Sequence, residues 1–165
     1  MPVKFDIKLS SKDMFRFNMY QTYSGFQGWF SIILAAVIFG VAVKNYGTVE
    51  TGMMVMYIFL GVFSLIYIPL TLWLKSKSAI NSSDVLKYTL HYEVDEKGFH
   101  VSQEEANADL LWEQIYKMTA TKSNVLVYSN RVNAYVIPRE QLGDQYETLT
   151  KLAKEQLPKF RVKMK

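Results

Sequence analysis

Two long runs without a charged residue interrupt a chain that otherwise alternates apolar and polar positions. The first, Gly28 to Val43 (GWFSIILAAVIFGVAV), has sixteen uncharged residues. At 1.5 Å per residue it covers roughly 24 Å, and the uncharged Tyr23 to Gln27 ahead of it extends its reach toward a ~30 Å hydrocarbon core. The second, Met53 to Leu74, has twenty-two uncharged residues. Trp29, Tyr46, Tyr57 and Trp73 stand near the ends of the runs, where amphipathic rings favour a membrane interface. The nine residues KNYGTVETG between the runs predict two antiparallel neighbouring helices. Ala36 and Gly40 form a small-xxx-small pair for close approach of the second helix near Gly61. Pro69 predicts a kink in that helix.

The flanks read differently. Val3, Phe5, Ile7 and Leu9 alternate with Lys4, Asp6 and Lys8, the period-two pattern of a half-buried strand. Ser10 or Ser11 offers a helix N-cap with Asp13 in the first turn, and Met14 to Tyr23 reads as an interfacial helix. A lone strand is unstable, so the N-terminal strand must pair with the region after Leu74. There, Leu86, Tyr88, Leu90, Tyr92 and Val94 share one face of a strand entered at Val85. DEKG turns the chain at Gly98, FHVSQ returns, and EEANA turns again. Trp112 to Tyr116 offers a helical turn, VLVYS and AYVIP pair across NRVN, and Leu142 to Leu157 recurs at helical spacing before Pro158. The pattern predicts an α+β fold: one small antiparallel sheet of five or six strands with a C-terminal amphipathic helix. A two-helix transmembrane hairpin is inserted into it, and the divisions are 1–27, 28–74 and 75–165.

Charge orients this arrangement. Lys4, Lys8, Lys12 and Arg16 precede the first run, Lys75, Lys77 and Lys87 follow the second, and the linker has only Lys44. The positive-inside rule then places both termini in the cytoplasm and the linker outside, as a multi-pass protein. Lys75 and Lys77 act as the stop after the second span, and Ser76 to Asp84 forms a short tether. The net charge of +4 is too mild to point to nucleic acid. There is no cysteine, so disulfides, thiolate metal sites and cysteine nucleophiles are excluded. Neither run holds Asp, Glu, Lys, Arg or His, which disfavours ion paths and proton relays.

Candidate chemistry is sparse. His91, Glu93 and His100 share a polar sheet face, Glu93 standing near His100 in register. No third ligand is spaced to complete a metal site, and two histidines on such a face are an ordinary solvated pair. Asp84, Asp95, Glu104 and Glu105 sit in turns or element ends. There is no glycine-rich phosphate loop, nucleophile elbow or HExxH, so no catalytic residue, cofactor or metal is expected. Trp112, Ile115 and Ile137 read as core. The tail PKFRVKMK alternates basic with apolar residues and has three readings: a lipid-binding basic end, a disordered solubilising end, or a further strand. Arg139, exposed at a helix start, and Lys159, Arg161, Lys163 and Lys165 in the tail are the candidate contacts for anionic lipid headgroups or a protein partner.

Trp112 and Ile115 in LLWEQIYKM, then a Val-rich hairpin, then AYVIPRE leading into a helix, resemble the bacterial pleckstrin-homology-like (PH-like) domains. The arrangement of strand, helix, two spans and this domain resembles the YcxB-like family. The resemblance implies a PH-like barrel or half-barrel in the cytoplasm of a bacterium, anchored in its inner membrane. It implies no activity, and the net acidic DEKG turn gives no ground for phosphoinositide binding. The expected role is a non-enzymatic interaction or scaffold module. Its partners would be the bilayer, a membrane or cytoplasmic protein, anionic lipid headgroups or a second copy of the chain. The alternatives are a bacteriocin or toxin self-immunity protein, and an enzyme using the His91, Glu93 and His100 face.

Overall fold

The structure, a computed structural model, describes residues 2–103 and 106–164, with the backbone alone at Asp84, Val85 and Ala106. The chain forms two compact units, Met1–Phe17 with Lys77–Lys165, and Asn18–Ser76. The expected pairing of the chain's two ends is observed: the N-terminal strand β1 (Val3–Ile7) joins β2 (Leu90–Val94). The three helices entered between them are α1 (Ser11–Ser24), α2 (Phe26–Lys44) and α3 (Thr51–Ser82). Ser10 caps α1 with a reciprocal exchange, its hydroxyl and backbone N–H both donating to Asp13 Oδ2 (2.5 and 3.1 Å).

Within the Asn18–Ser76 unit, α2 and α3 form a helical hairpin through residues 45–50. Ala36 and Gly40 are exposed, and a Cβ on Gly40 would meet nothing within 4 Å, so this pair does not make the contact expected of it. The buried stripe of α2 is instead Gly28, Ser31, Ala35 and Ala42. Gly61 of α3 does lie in the contact: its missing Cβ leaves room for the Phe39 ring, which a Cβ would approach to 2.7 Å. Ser64 donates to the Ser31 carbonyl at 3.2 Å, satisfying one hydroxyl between apolar walls. Pro69 stands inside α3, which continues through Lys75 and Lys77 to Ser82. The proposed tether is therefore helical over most of its length.

The other unit holds two four-stranded sheets rather than one. The first is β1-β2-β3-β4, with β3 Gly98–Gln103 and β4 Ala106–Leu111. The second is β7-β6-β5-β8, with β5 Lys117–Ala120, β6 Asn124–Tyr128, β7 Ala134–Pro138 and β8 Val162–Lys163. The change of sheet falls at the 3-10 turn Trp112–Gln114, where the sequence predicts a helical turn. β8 is the tail, paired parallel to β5 through Met118↔Val162, so the strand reading of the tail holds. The strand expected from Val85 begins only at Leu90. The ladder of β1 runs out at Ile7↔Leu90, and residues without a ladder partner close a helical turn instead, α4 (Asp84–Lys87). The EEANA turn falls on Glu104 and Glu105, outside the described residues.

Alternation delivers the core as the sequence implies. Val3, Phe5 and Ile7 bury on one face of β1, Leu90, Tyr92 and Val94 on β2, and Trp112, Ile115 and Ile137 are all buried. At Gly98 a Cβ would lie 2.3 Å from the Leu110 carbonyl, so the close approach of β4 requires glycine there. The C-terminal helical run is broken at Gly143 (φ 49°) into α5 (Arg139–Leu142) and α6 (Gln145–Gln156). Gln141 fastens α5 to the end of β1, accepting from the Lys8 N–H (2.8 Å) and donating to its carbonyl (3.0 Å). On α6 the Thr150 hydroxyl is buried without a partner among the described residues. Thr150→Val keeps the shape and removes that cost. It should raise stability by about 1 kcal/mol in thermal unfolding of the purified chain.

Candidate functional site

The sequence-predicted histidine face is assembled in register but not into one site. Glu93 stands opposite His100 and His91 opposite Ser102. Each side chain is engaged separately: His91 Nδ1 with Asp6 (2.6 Å), and Glu93 with Lys4 (3.0 Å). His100 bridges two carboxylates, Nδ1 to Asp109 at 2.7 Å and Nε2 to Asp95 at 3.3 Å. Both ring nitrogens donate only when the imidazole is charged. The Asp109 hydrogen bond accordingly raises the His100 pKa from its ordinary 6.5, against partial desolvation and with help from Asp95. The Lys97 backbone N–H holds the Asp95 carboxyl below its ordinary 3.8, with Gly98 N–H and His100 adding to it. Among the described residues no group of three His, Cys, Asp or Glu is placed to hold a metal ion.

This bridge ties the β2–β3 turn to β4, and its pH dependence follows from the two shifts. The raised His100 pKa gives stability that is full below pH 6.5 and is lost as pH rises through the folded value. The lowered Asp95 pKa gives stability present above pH 3.8 and lost as pH falls through its folded value. Between those limits both contribute. The stability gap between wild type and His100→Gln should be widest there and should narrow as pH rises through the folded His100 value, as read by chemical unfolding across pH.

The basic residues lie in folded positions. Arg139 is half-buried rather than exposed: its Nη1 donates to the Thr121 carbonyl (3.2 Å) and its guanidinium stacks 4.1 Å from the Tyr146 ring centre. Arg161 is half-buried and donates to the Ile115 carbonyl (3.3 Å). Lys159 and Lys163 are exposed on the docked tail, held in place by buried Met164. Lys165 lies outside the described residues.

What the sequence does not reveal is a cavity of about 330 Å³ in the β-unit. Its origin is visible in the register of the first sheet. One inward row reads Val3, Val94, Phe99, Leu110 and is filled from edge to edge. The next reads Phe5, Tyr92, Val101, Ala108, and the last position shrinks to a methyl. Ala108 and, on β7, Ala134 border the space, with Leu9, Met14 and Leu86 closing it from the segments beside β1 and β2. The polar groups on its wall are neutral: Tyr92, Tyr135, Gln103 and Asn107. Tyr92 is 3% exposed. Burial, with Tyr135 beside it, pushes its phenol well above the ordinary range, so it remains a neutral donor. Buried Gln103 at the end of an apolar-faced strand is the one sequence signal that points here.

No curated protein and no solved structure matches the chain significantly. A family model does match, over residues 94–153, from the end of β2 through most of α6. Trp112, Ile115 and the AYVIPRE stretch, which carry the resemblance seen in the sequence, all fall inside it. That match bears out the resemblance seen in the sequence: residues 94–153 are similar to the YcxB-like protein family.

Proposed function

We propose that this protein is a membrane-anchored, non-enzymatic binding module of a bacterial inner membrane, with the β-unit forming a PH-like domain in the cytoplasm. The observation that carries the anchor is the apolar surface of the two long helices. Both are long and apolar enough to cross a membrane, with mean hydropathy 2.1 and 2.2, and only 6% of the α3 window is buried. Phe30, Val37, Phe59 and Phe63 are each more than half exposed. A surface of that kind is costly in water and stable in lipid. The basic residues before α2 and after α3, against Lys44 alone in the connection, support cytoplasmic termini.

The PH-like reading is supported by two successive sheets followed by a C-terminal helix, with the YcxB-like match spanning most of that unit. The non-enzymatic reading is supported by the separate engagement of His91, Glu93 and His100 and by a cavity wall of apolar and neutral side chains. A ligand or protein partner taken up by the β-unit would thus be held at the bilayer surface. Alkaline carbonate extraction of membranes tests the anchor: the full chain should stay in the pellet, and release into the supernatant would overturn it. Cells carrying His91→Gln with His100→Gln should keep the wild-type phenotype, and its loss would return the enzyme reading to the front.

A further inference from the structure

We propose that the hollow between Arg139 and one face of α6 binds a phosphate group. Helical spacing sets Glu147, Thr150, Lys151 and Lys154 along one side of α6, three or four residues apart. Arg139 of α5 closes the hollow together with Tyr146. Its volume is about 540 Å³, within the range of small-molecule sites. Among the described residues three cations line it against the single carboxylate of Glu147. Lys151 and Lys154 are exposed, and on their own they would mark only a solvated helix face.

Arg139 is different. Its guanidinium is half-buried and held in place, stacked on the Tyr146 ring with Nη1 on the Thr121 carbonyl. Among the described residues it makes no ion pair and no other side-chain hydrogen bond, so most of its planar fork of donors is unused. A cation partly withdrawn from water without a counter-ion is costly, and an oxyanion relieves that cost. Thr150 is the second, independent observation. It is 8% exposed and borders the hollow, and its hydroxyl is buried without a partner among the described residues. A helical threonine has two favoured rotamers, so this hydroxyl can turn to a ligand oxygen and lose its desolvation cost. A tetrahedral phosphate has oxygens enough for the Arg139 fork and for Thr150, Lys151 and Lys154 together. Glu147 repels further negative charge, which favours a single phosphate over a polyphosphate. The site names a ligand class for the binding module proposed above and rests on that reading.

The test uses the full chain in a non-ionic detergent, labelled with 15N at arginine. The arginines are Arg16, Arg131, Arg139 and Arg161, so Arg139→Lys identifies the Arg139 Nε signal by its absence. Inorganic phosphate and glycerol 3-phosphate should shift that signal saturably, while chloride at equal ionic strength leaves it in place. Lys151→Gln with Lys154→Gln should weaken binding by about tenfold or more, the loss of charged hydrogen bonds. Thr150→Val, which should stabilise the fold, should weaken binding roughly threefold, so that lost affinity is not lost folding. A shift with dihexanoyl phosphatidic acid and with neither soluble phosphate would support the site with a lipid headgroup as its source. No shift with any of the three, a shift that chloride reproduces, or binding unchanged in both variants overturns the proposal. A chain that binds no phosphate yet stays in the alkaline-washed membrane pellet loses this inference and keeps its anchor.

Discussion

Trp112→Ala lowers the stability of the β-unit by about 3–5 kcal/mol, the largest loss expected of any single truncation here. Trp112 stands where the chain passes from the first sheet to the second, and it is 5% exposed. Its ring meets Phe99 edge-on at 5.3 Å, an arrangement worth more than its area alone. Its Nε1 donates to the Asp95 carbonyl at 2.9 Å, which fixes the β2–β3 turn. Alanine therefore removes the ring from the junction of two sheets and leaves a carbonyl without its donor. Thermal unfolding of the full chain in mild detergent, followed by light scattering, reads the shift. A loss under 1 kcal/mol would mean that the junction does not hold the sheets together.

Phe5→Ala should cost about 3 kcal/mol or more, although Phe5 belongs to an edge strand far from its partners in sequence. Its ring stacks on Tyr92 at 5.3 Å with 12° between planes, and it is 7% exposed. The neighbouring Lys4–Glu93 pair is 66% and 43% exposed, so Lys4→Ala should change stability by no more than about 0.5 kcal/mol. The contrast is diagnostic. Were β1 only a leader to the helices, both changes would be neutral, and limited proteolysis would clip the N-terminus equally in each. With β1 as the edge of the first sheet, only Phe5→Ala should expose the N-terminal segment and loosen the sheet.

Much of this was legible because local periodicity reports burial. The alternation of Val3, Phe5 and Ile7 implied a buried face, and the need of a lone strand for a partner implied β1 pairing with β2. The runs from Gly28 and Met53 announced two long apolar helices. Periodicity cannot report where a ladder ends, so Leu86 and Tyr88 continued a strand on paper while the chain folds α4 before Leu90. Nor does it show which side of a helix meets a neighbour: on α2, Ala36 and Gly40 look suited to contact, yet Gly28, Ser31, Ala35 and Ala42 are the ones buried, while on α3 Gly61 lies in the contact as expected. The division into two sheets turns on three residues at Trp112–Gln114, too short a signal to separate from a strand bend. The cavity was least legible, because it arises from Ala108 and Ala134 on different sheets, where something larger is missing.

The central claim is that two crossing helices hold the β-unit on the inner face of a membrane. The chain has no cysteine, so single cysteines report sidedness without a background. Thr48→Cys, in the connection between α2 and α3, and Lys122→Cys, exposed in the turn between β5 and β6, make the pair. Treated as intact cells with a membrane-impermeant maleimide, Thr48→Cys should be labelled and Lys122→Cys should react only after the inner membrane is opened. Labelling of Lys122→Cys in intact cells, or protection of Thr48→Cys until lysis, would contradict the account.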